Sequence, residues 1–175
     1  MPALTTANLG KNLHQSKTAD NASLALKVAL RMHFIRKFHA NDARVFDACQ
    51  GAGLIWNQVR KQIEVKSYWG VDVKAKKGRL SIDSIKVLSQ GVKDNVIDID
   101  TYGEPWTHWL AMLPHIKEPT TVFLTCGSVN QIRMSNVVIE YVFGKSLKMP
   151  PTLYGKLWDH AEQVLLSAPL SRGLE

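Results

Sequence analysis

The chain has 175 residues, of which 45% are hydrophobic and 21% are charged, a balance typical of one folded domain and not of a disordered chain. No apolar run approaches the roughly 20 residues that cross a bilayer, and the amino terminus lacks the apolar core of a signal peptide, so we expect no membrane association. Cys49 and Cys126 lie far apart and form no metal-binding pattern, which favours a reducing cytoplasmic location and predicts no metal site.

The net charge of +7 is distributed unevenly along the chain. One basic cluster precedes residue 45, and a second lies in the loop KAKKGR. The candidate contacts to phosphate in these two regions are Arg36, Lys37, Lys74, Lys76, Lys77 and Arg79. Such clusters indicate either a nucleic acid partner or a solvated basic surface, and charge alone does not decide between them.

The chain begins with polar residues 1–19, which we expect to be a flexible segment, and residues 20–175 are expected to form a single domain. Asp20 or Asn21 is predicted to cap a first helix that runs to about Phe38. Its expected inward-facing residues are Leu24, Leu26, Val28, Ala29, Met32, Phe34 and Ile35.

Five short strands are then predicted to alternate with helices. The strands are about Arg44–Ala48, SYWGVD, RLSID, NVIDID and TTVFLTC; the helices are about Leu54–Gln62, a helical turn after Asp83, EPWTHWLAMLPHI and PPTLYGKLWDHAEQVLLSAP. The segment SNVVIEYVF fits a helix or a strand. This alternation predicts an α/β fold with an open, mostly parallel sheet and helices on both faces.

Acidic residues end three successive predicted strands. Asp47 stands in VFDACQGAG, where Gly51 and Gly53 let a ligand approach the backbone, and Asp72 and Asp83 end the next two strands. At the carboxyl edge of a parallel sheet these acids lie where nucleotide ligands bind, with Asp72 suited to ribose hydroxyls and Asp83 to an adenine edge. Each acid alone also fits a helix cap or a turn.

The ligand predicted for this turn is not a dinucleotide. Trp56 stands where the third glycine of a dinucleotide-binding turn would lie, and an acid at Asp47 suits a cationic ligand. VFDACQGAG, YWGVDVK, LSIDS and NVIDIDTYGEPW together resemble the motifs of the Rossmann-like S-adenosylmethionine-dependent methyltransferases over about residues 44–127. The cofactor-binding residues that this resemblance implies are Asp47, Ala48, Gly51, Gly53, Asp72, Val73, Asp83, Ser84 and Asp100. No clear sixth or seventh strand follows residue 127, so the complete seven-stranded sheet usual in that family is not predicted for this chain.

The fourth motif, DIDTYGEP, resembles that of the tRNA N2,N2-dimethylguanosine methyltransferases. The resemblance implies methylation of a base amine in RNA or DNA, with Asp100 orienting the amine and Tyr102 stacking on the base. Thr101 departs from the family's proline. A helix cap at Asp100 and a surface aromatic at Tyr102 are the plainer interpretation.

Three further hypotheses about function, and one about oligomeric state, stay open. FLTCGS resembles a segment of RNA 5-methylcytosine methyltransferases, in which Cys126 would be the nucleophile, although a buried cysteine at a strand end is commonly inert. A non-catalytic S-adenosylmethionine- or nucleotide-binding module, working as a subunit with a partner, fits the small size of the chain. A small-molecule methyltransferase would need a lid from residues 1–40. A homodimer through the apolar carboxyl-terminal tail also stays open.

Overall fold

The computed structural model describes residues 23–74, 77–101, 103–126, 134–144 and 151–171; the predicted flexible segment 1–19 lies outside these ranges. In chain order the elements are α1 (Leu24–Phe38), β1 (Arg44–Asp47), α2 (Leu54–Val59), β2 (Ser67–Asp72), β3 (Leu80–Ser81), α3 (Ser84–Leu88), β4 (Val96–Asp100), α4 (Trp106–Met112), a 3-10 turn (Leu113–His115), β5 (Thr121–Thr125), α5 (Asn136–Phe143) and α6 (Pro151–Ser171). Within the described ranges, none of these helices combines the length and apolarity needed to span a bilayer.

The strands form one open sheet in the order β3-β2-β1-β4-β5, and every neighbouring pair is parallel. The predicted α/β class with an open parallel sheet is therefore confirmed. The direction of winding reverses between β1 and β4, which in such sheets opens a crevice at the carboxyl edge. In the described part of the chain no strand follows β5, and SNVVIEYVF forms helix α5.

Successive residues of each strand point to opposite faces of the sheet, and both faces carry apolar residues. Helices therefore cover both faces. Val45, Val96 and Phe123 point to one face and pack with residues of α1 and α2. Phe46 and Ile97 point to the other face, where the larger core also takes in residues from α3, α4, α5 and α6. Trp106 and Trp109 also lie in this larger core.

The buried stripe of α1 differs from the predicted one. Val28 and Ile35 are buried as expected, but Leu26 is exposed and the intervening buried position is taken by Arg31. The helix turns Arg31 inward because an acid of the sheet neutralises it, which apolar periodicity alone does not reveal. The third strand is also shorter than predicted and ends at Ser81.

Candidate functional site

The turn after β1 connects the two halves of the sheet. The amide of Ala48 donates to the carbonyl of Asp98 on β4, and the amide of Gln50 donates to the carbonyl of Val71 on β2. Gly51 and Gly53 adopt left-handed φ angles of 49° and 65°, which disfavour a side chain. The turn therefore bridges the point where strand order reverses, and Gly53 begins α2.

Asp72 faces this glycine turn from the end of β2. Its Oδ2 accepts a hydrogen bond from the Gly51 amide at 2.9 Å, and its Oδ1 accepts from the Lys74 amide at 2.7 Å. Asp72 is half-buried, whereas the next residue, Val73, is 66% exposed. The Ser81 hydroxyl donates to the Val73 carbonyl at 3.4 Å and joins β3 to this edge. Two predicted strand-end features, the glycine turn and Asp72, are thus in direct contact.

Asp83 and Ser84 begin α3 beside this edge. Asp83 caps the helix, because its Oδ1 accepts from the Ile85 amide at 3.0 Å. Ser84 is buried and its Oγ lies 3.0 Å from Nε2 of His108. Burial lowers the pKa of His108, against the opposing effect of the Asp83 charge, and so favours the neutral ring. Burial has the opposite effect on the Cys49 thiol, whose pKa it raises to about 12 although a hydrogen bond to Ser84 lowers it. This thiol is therefore unreactive at neutral pH.

Asp100 ends β4 and makes an ion pair with a residue of α1. Lys27 Nζ donates to both Asp100 carboxylate oxygens at 2.8 Å, and the two side chains are 24% and 21% exposed. The next residue, Thr101, has a buried hydroxyl with no hydrogen-bond partner among the described residues. Tyr102, the predicted stacking residue, lies outside the described residues. Glu104 caps α4 by accepting from the Trp106 amide at 2.6 Å.

Asp47 belongs to a buried polar network beneath α1 and α2. It pairs in register with Asp98, whose carboxylate accepts from Arg31 Nε at 2.6 Å and from Trp56 Nε1 at 2.7 Å. Tyr68 donates its hydroxyl hydrogen to Asp47 Oδ2 at 3.0 Å. Burial, and then the neighbouring Asp98 charge, raise the pKa of Asp47 to about 7. The carboxylate of Asp47 is thus held inside the domain at 4% exposure, whereas Asp72 is half-buried.

Three residues of this region were not predicted as site residues: Lys27, Arg31 and Asp98. The spacing of these residues along the sequence could have identified them. Asp98 and Asp100 are two residues apart on a strand, a rise of about 6.6 Å, and Lys27 and Arg31 are four apart on a helix, a rise of about 6.0 Å. Because α1 runs antiparallel to β4, these similar spacings place Lys27 beside Asp100 and Arg31 beside Asp98. Acids within an otherwise apolar parallel strand predict such buried cations.

The predicted basic residues fall into two separate groups. Arg36 and Lys37 are exposed near the last turn of α1, which runs toward the amino ends of the strands, since His39 contacts Thr121 at the start of β5. Lys74 and Lys77 are exposed on the connection between β2 and β3. Arg79 reaches back to the glycine turn and donates to the Ala52 carbonyl at 2.8 Å. Lys76 lies outside the described residues.

Two clefts of the described surface bear on the site. One of about 560 Å³ lies at the amino ends of the strands, beside Arg44, Asn95 and Thr120, and is remote from the strand-end acids. The other, of about 500 Å³, lies beside α2 and is lined by Arg60, Lys77 and Arg79, among others. No group of three or more His, Cys, Asp or Glu side chains in the described ranges is arranged to hold a metal ion.

Comparisons with protein-family models, with curated proteins and with solved structures find nothing that matches the chain. The function of the site is therefore inferred from its own residues. The geometry brings together Gly51, Gly53 and Asp72 at one edge, with Asp83 and Asp100 at the ends of the flanking elements, and it separates Asp47 from them by burial.

Proposed function

We propose that the chain is an S-adenosylmethionine-dependent methyltransferase that acts on a base amine in nucleic acid. The observation that carries the proposal is the contact between the Gly51 amide and the Asp72 carboxylate, at the carboxyl edge of a sheet ordered β3-β2-β1-β4-β5. An acid beside a left-handed glycine turn at this edge suits a ligand with a ribose. Trp56 is buried and bonded to Asp98 in the place of a third glycine, which disfavours a dinucleotide.

The residues at this edge fit the nucleoside part of S-adenosylmethionine. Asp72 would accept from the ribose hydroxyls, the exposed Val73 side chain would pack on the adenine, and Asp83 would lie near the adenine edge. When bound, the cofactor supplies a methyl group activated by a sulfonium charge. Asp47 does not fit a direct contact with that charge, because its carboxylate is buried and bonded to Tyr68. Its contribution would be a long-range electrostatic one.

Asp100 is the residue that would engage the acceptor. A strand-end carboxylate accepts an N–H of the base amine and so turns the nitrogen lone pair toward the incoming methyl group. Each oxygen of Asp100 has lone pairs beyond the bond that it accepts from Lys27, so the ion pair and an amine contact are compatible. The unpaired Thr101 hydroxyl supplies a second polar group next to it.

A non-catalytic S-adenosylmethionine-binding module is the second candidate. The ion pair between Lys27 and Asp100 favours it, because both acceptor oxygens already have a cationic partner. Chemistry at Cys126 is disfavoured. Cys126 is exposed and not buried, but its thiol donates to Glu162 Oε1 at 3.8 Å. Partial desolvation and this carboxylate raise the pKa of the thiol to about 11, so little thiolate forms at neutral pH.

Calorimetric titration with S-adenosylmethionine and S-adenosylhomocysteine tests the cofactor site. We expect saturable binding by the wild type, loss of that binding in Asp72→Ala, and unchanged binding in Asp159→Ala, which removes an exposed carboxylate from α6. Absence of binding by the wild type would refute the methyltransferase proposal. A labelled-methyl assay over RNA and DNA then separates the two candidates, since only the enzyme labels nucleic acid and loses that activity in Asp100→Asn.

A further inference from the structure

The cleft of about 500 Å³ beside α2 has the composition of an anion site. It lies between α2 and the connection from β2 to β3, next to the glycine turn. Its polar lining side chains include three cations and two amides: Arg60, Lys77, Arg79, Gln50 and Asn57. No carboxylate is among the lining residues that the structure describes, although the protein as a whole carries 15 acids.

The three cations of this cleft have no acidic partner in the described part of the chain. The ion pairs found there involve Lys27, Arg31, Arg44 and Lys66, and none involves a cation of the cleft. Like charges gathered in a concave surface raise the local positive potential and attract anions from solution. The arrangement therefore favours an external anion as the missing partner.

Two of the cations are held in position before any ligand arrives. The Arg60 guanidinium lies over the Tyr68 ring at 4.7 Å, and Arg79 is bonded to the Ala52 carbonyl. Tyr68 is fixed in turn, because it accepts from Gln50 Nε2 at 2.9 Å and donates to Asp47. Positioned guanidinium groups lose less entropy on binding than free ones, and their fork geometry suits phosphate oxygens.

We propose that this cleft binds the phosphodiester backbone of single-stranded nucleic acid, with Arg60, Lys77 and Arg79 as the phosphate contacts. The inference rests on the proposed function and extends it, because Arg79 joins the cleft to the turn that carries the candidate cofactor site. A strand seated here would pass the carboxyl edge of the sheet, where a base must be unstacked to reach Asp100. Arg36 and Lys37 would not contribute, since they lie toward the opposite edge.

Fluorescence anisotropy with a labelled single-stranded RNA, and with DNA of the same sequence, tests this assignment across a range of salt. The test protein is Arg60→Gln/Lys77→Gln. The control is Lys61→Gln/Lys86→Gln, which removes the same charge from two exposed residues that do not line the cleft. We expect the cleft variant to bind at least about tenfold more weakly at low salt, with a slope of log K against log salt smaller by about 1.4 for two lost contacts. The control should keep the wild-type slope.

Other outcomes would overturn the assignment. An equal loss in both double variants would mean general charge attraction, and preferential displacement of the strand by inorganic phosphate or a mononucleotide would mean a small-anion site. Asn57→Asp places a carboxylate in the cleft without removing a cation, so it should weaken binding too, and an unchanged affinity would count against the cleft. Calorimetric titration of the same variants with S-adenosylmethionine separates a failure of the cleft assignment from a failure of the cofactor site. We expect every variant to bind S-adenosylmethionine as the wild type does.

Discussion

The ammonium of Lys27 donates to both carboxylate oxygens of Asp100 at 2.8 Å, and so joins α1 to the carboxyl end of β4. The same helix joins Arg31 to Asp98 one turn later. The pairs differ in burial: side-chain exposure is 24% and 21% for the first but 2% and 1% for the second. We therefore expect the first pair to act mainly on the site and the second on stability.

Lys27→Met should reduce methyl transfer more than it reduces stability. Without the ammonium the Asp100 carboxylate loses its fixed orientation, and misplacement on the order of 1 Å costs up to about a hundredfold in rate. A partly exposed ion pair contributes at most about 1 kcal/mol to stability. Steady-state kinetics should show a lower kcat with rescue by Lys27→Arg. An unchanged kcat would remove Lys27 from the site; Lys66→Met, which breaks the exposed pair with Asp42, is the control.

Arg31→Met should destabilise the fold strongly. It leaves the Asp98 carboxylate buried without a cation, which costs about 3–5 kcal/mol in comparable cases. The double variant Arg31→Met/Asp98→Asn should be more stable than Arg31→Met, because the amide oxygen still accepts from Trp56 and carries no charge. Urea denaturation measures both. The control is Arg44→Met, which breaks a more exposed pair and should lower the free energy of unfolding by under about 1 kcal/mol. If Arg31→Met lowered it by no more than this control, the buried-pair interpretation would be contradicted.

Asp47 should make stability fall as the pH rises. Its folded pKa of about 7 lies above the ordinary aspartate value of 3.8, so its stabilising contribution is complete below pH 3.8 and is lost as the pH rises through 7. Asp47→Asn removes this dependence. We expect the stability of the variant relative to the wild type to increase by about 1.4 kcal/mol per pH unit between about pH 5 and pH 7. Denaturation curves across that range would contradict the assignment if the difference stayed constant.

Gly53→Ala should weaken cofactor binding as well as stability. At φ 65° a side chain costs about 1–2 kcal/mol, and the added Cβ would lie 2.5 Å from Nη1 of Arg79 and displace it. Gly144→Ala has the same left-handed strain at φ 79° but open space around the new Cβ. Both variants should lose similar stability in thermal denaturation, whereas only Gly53→Ala should lose affinity for S-adenosylmethionine by about tenfold or more. Equal affinities would argue against a ligand at this turn.

Local sequence patterns were sufficient for the strands and for the glycine turn. Short β-branched runs ending in acids, separated by helical periodicity, predicted the parallel sheet, because both patterns act within a few residues. The end of the third strand was misplaced at Asp83, since a strand-ending acid and a helix-capping acid look alike until the Ile85 amide is seen to be its donor. The segment SNVVIEYVF stayed ambiguous because its β-branched residues fit a strand as well as a helix; in the structure it is helical, and Ser135 caps it by accepting from the Val138 amide.

The sequence by itself determined the five strands, most of the helices between them and the residue types at the strand ends. Only the tertiary structure decided which acids face solvent. Asp47, Asp72 and Asp100 look equivalent along the chain, yet Asp47 is buried with Tyr68, Asp72 faces Gly51, and Asp100 faces Lys27. The reason is physical: the burial and partner of a carboxylate depend on groups distant in sequence, and the free energy of desolvating it depends on them as well.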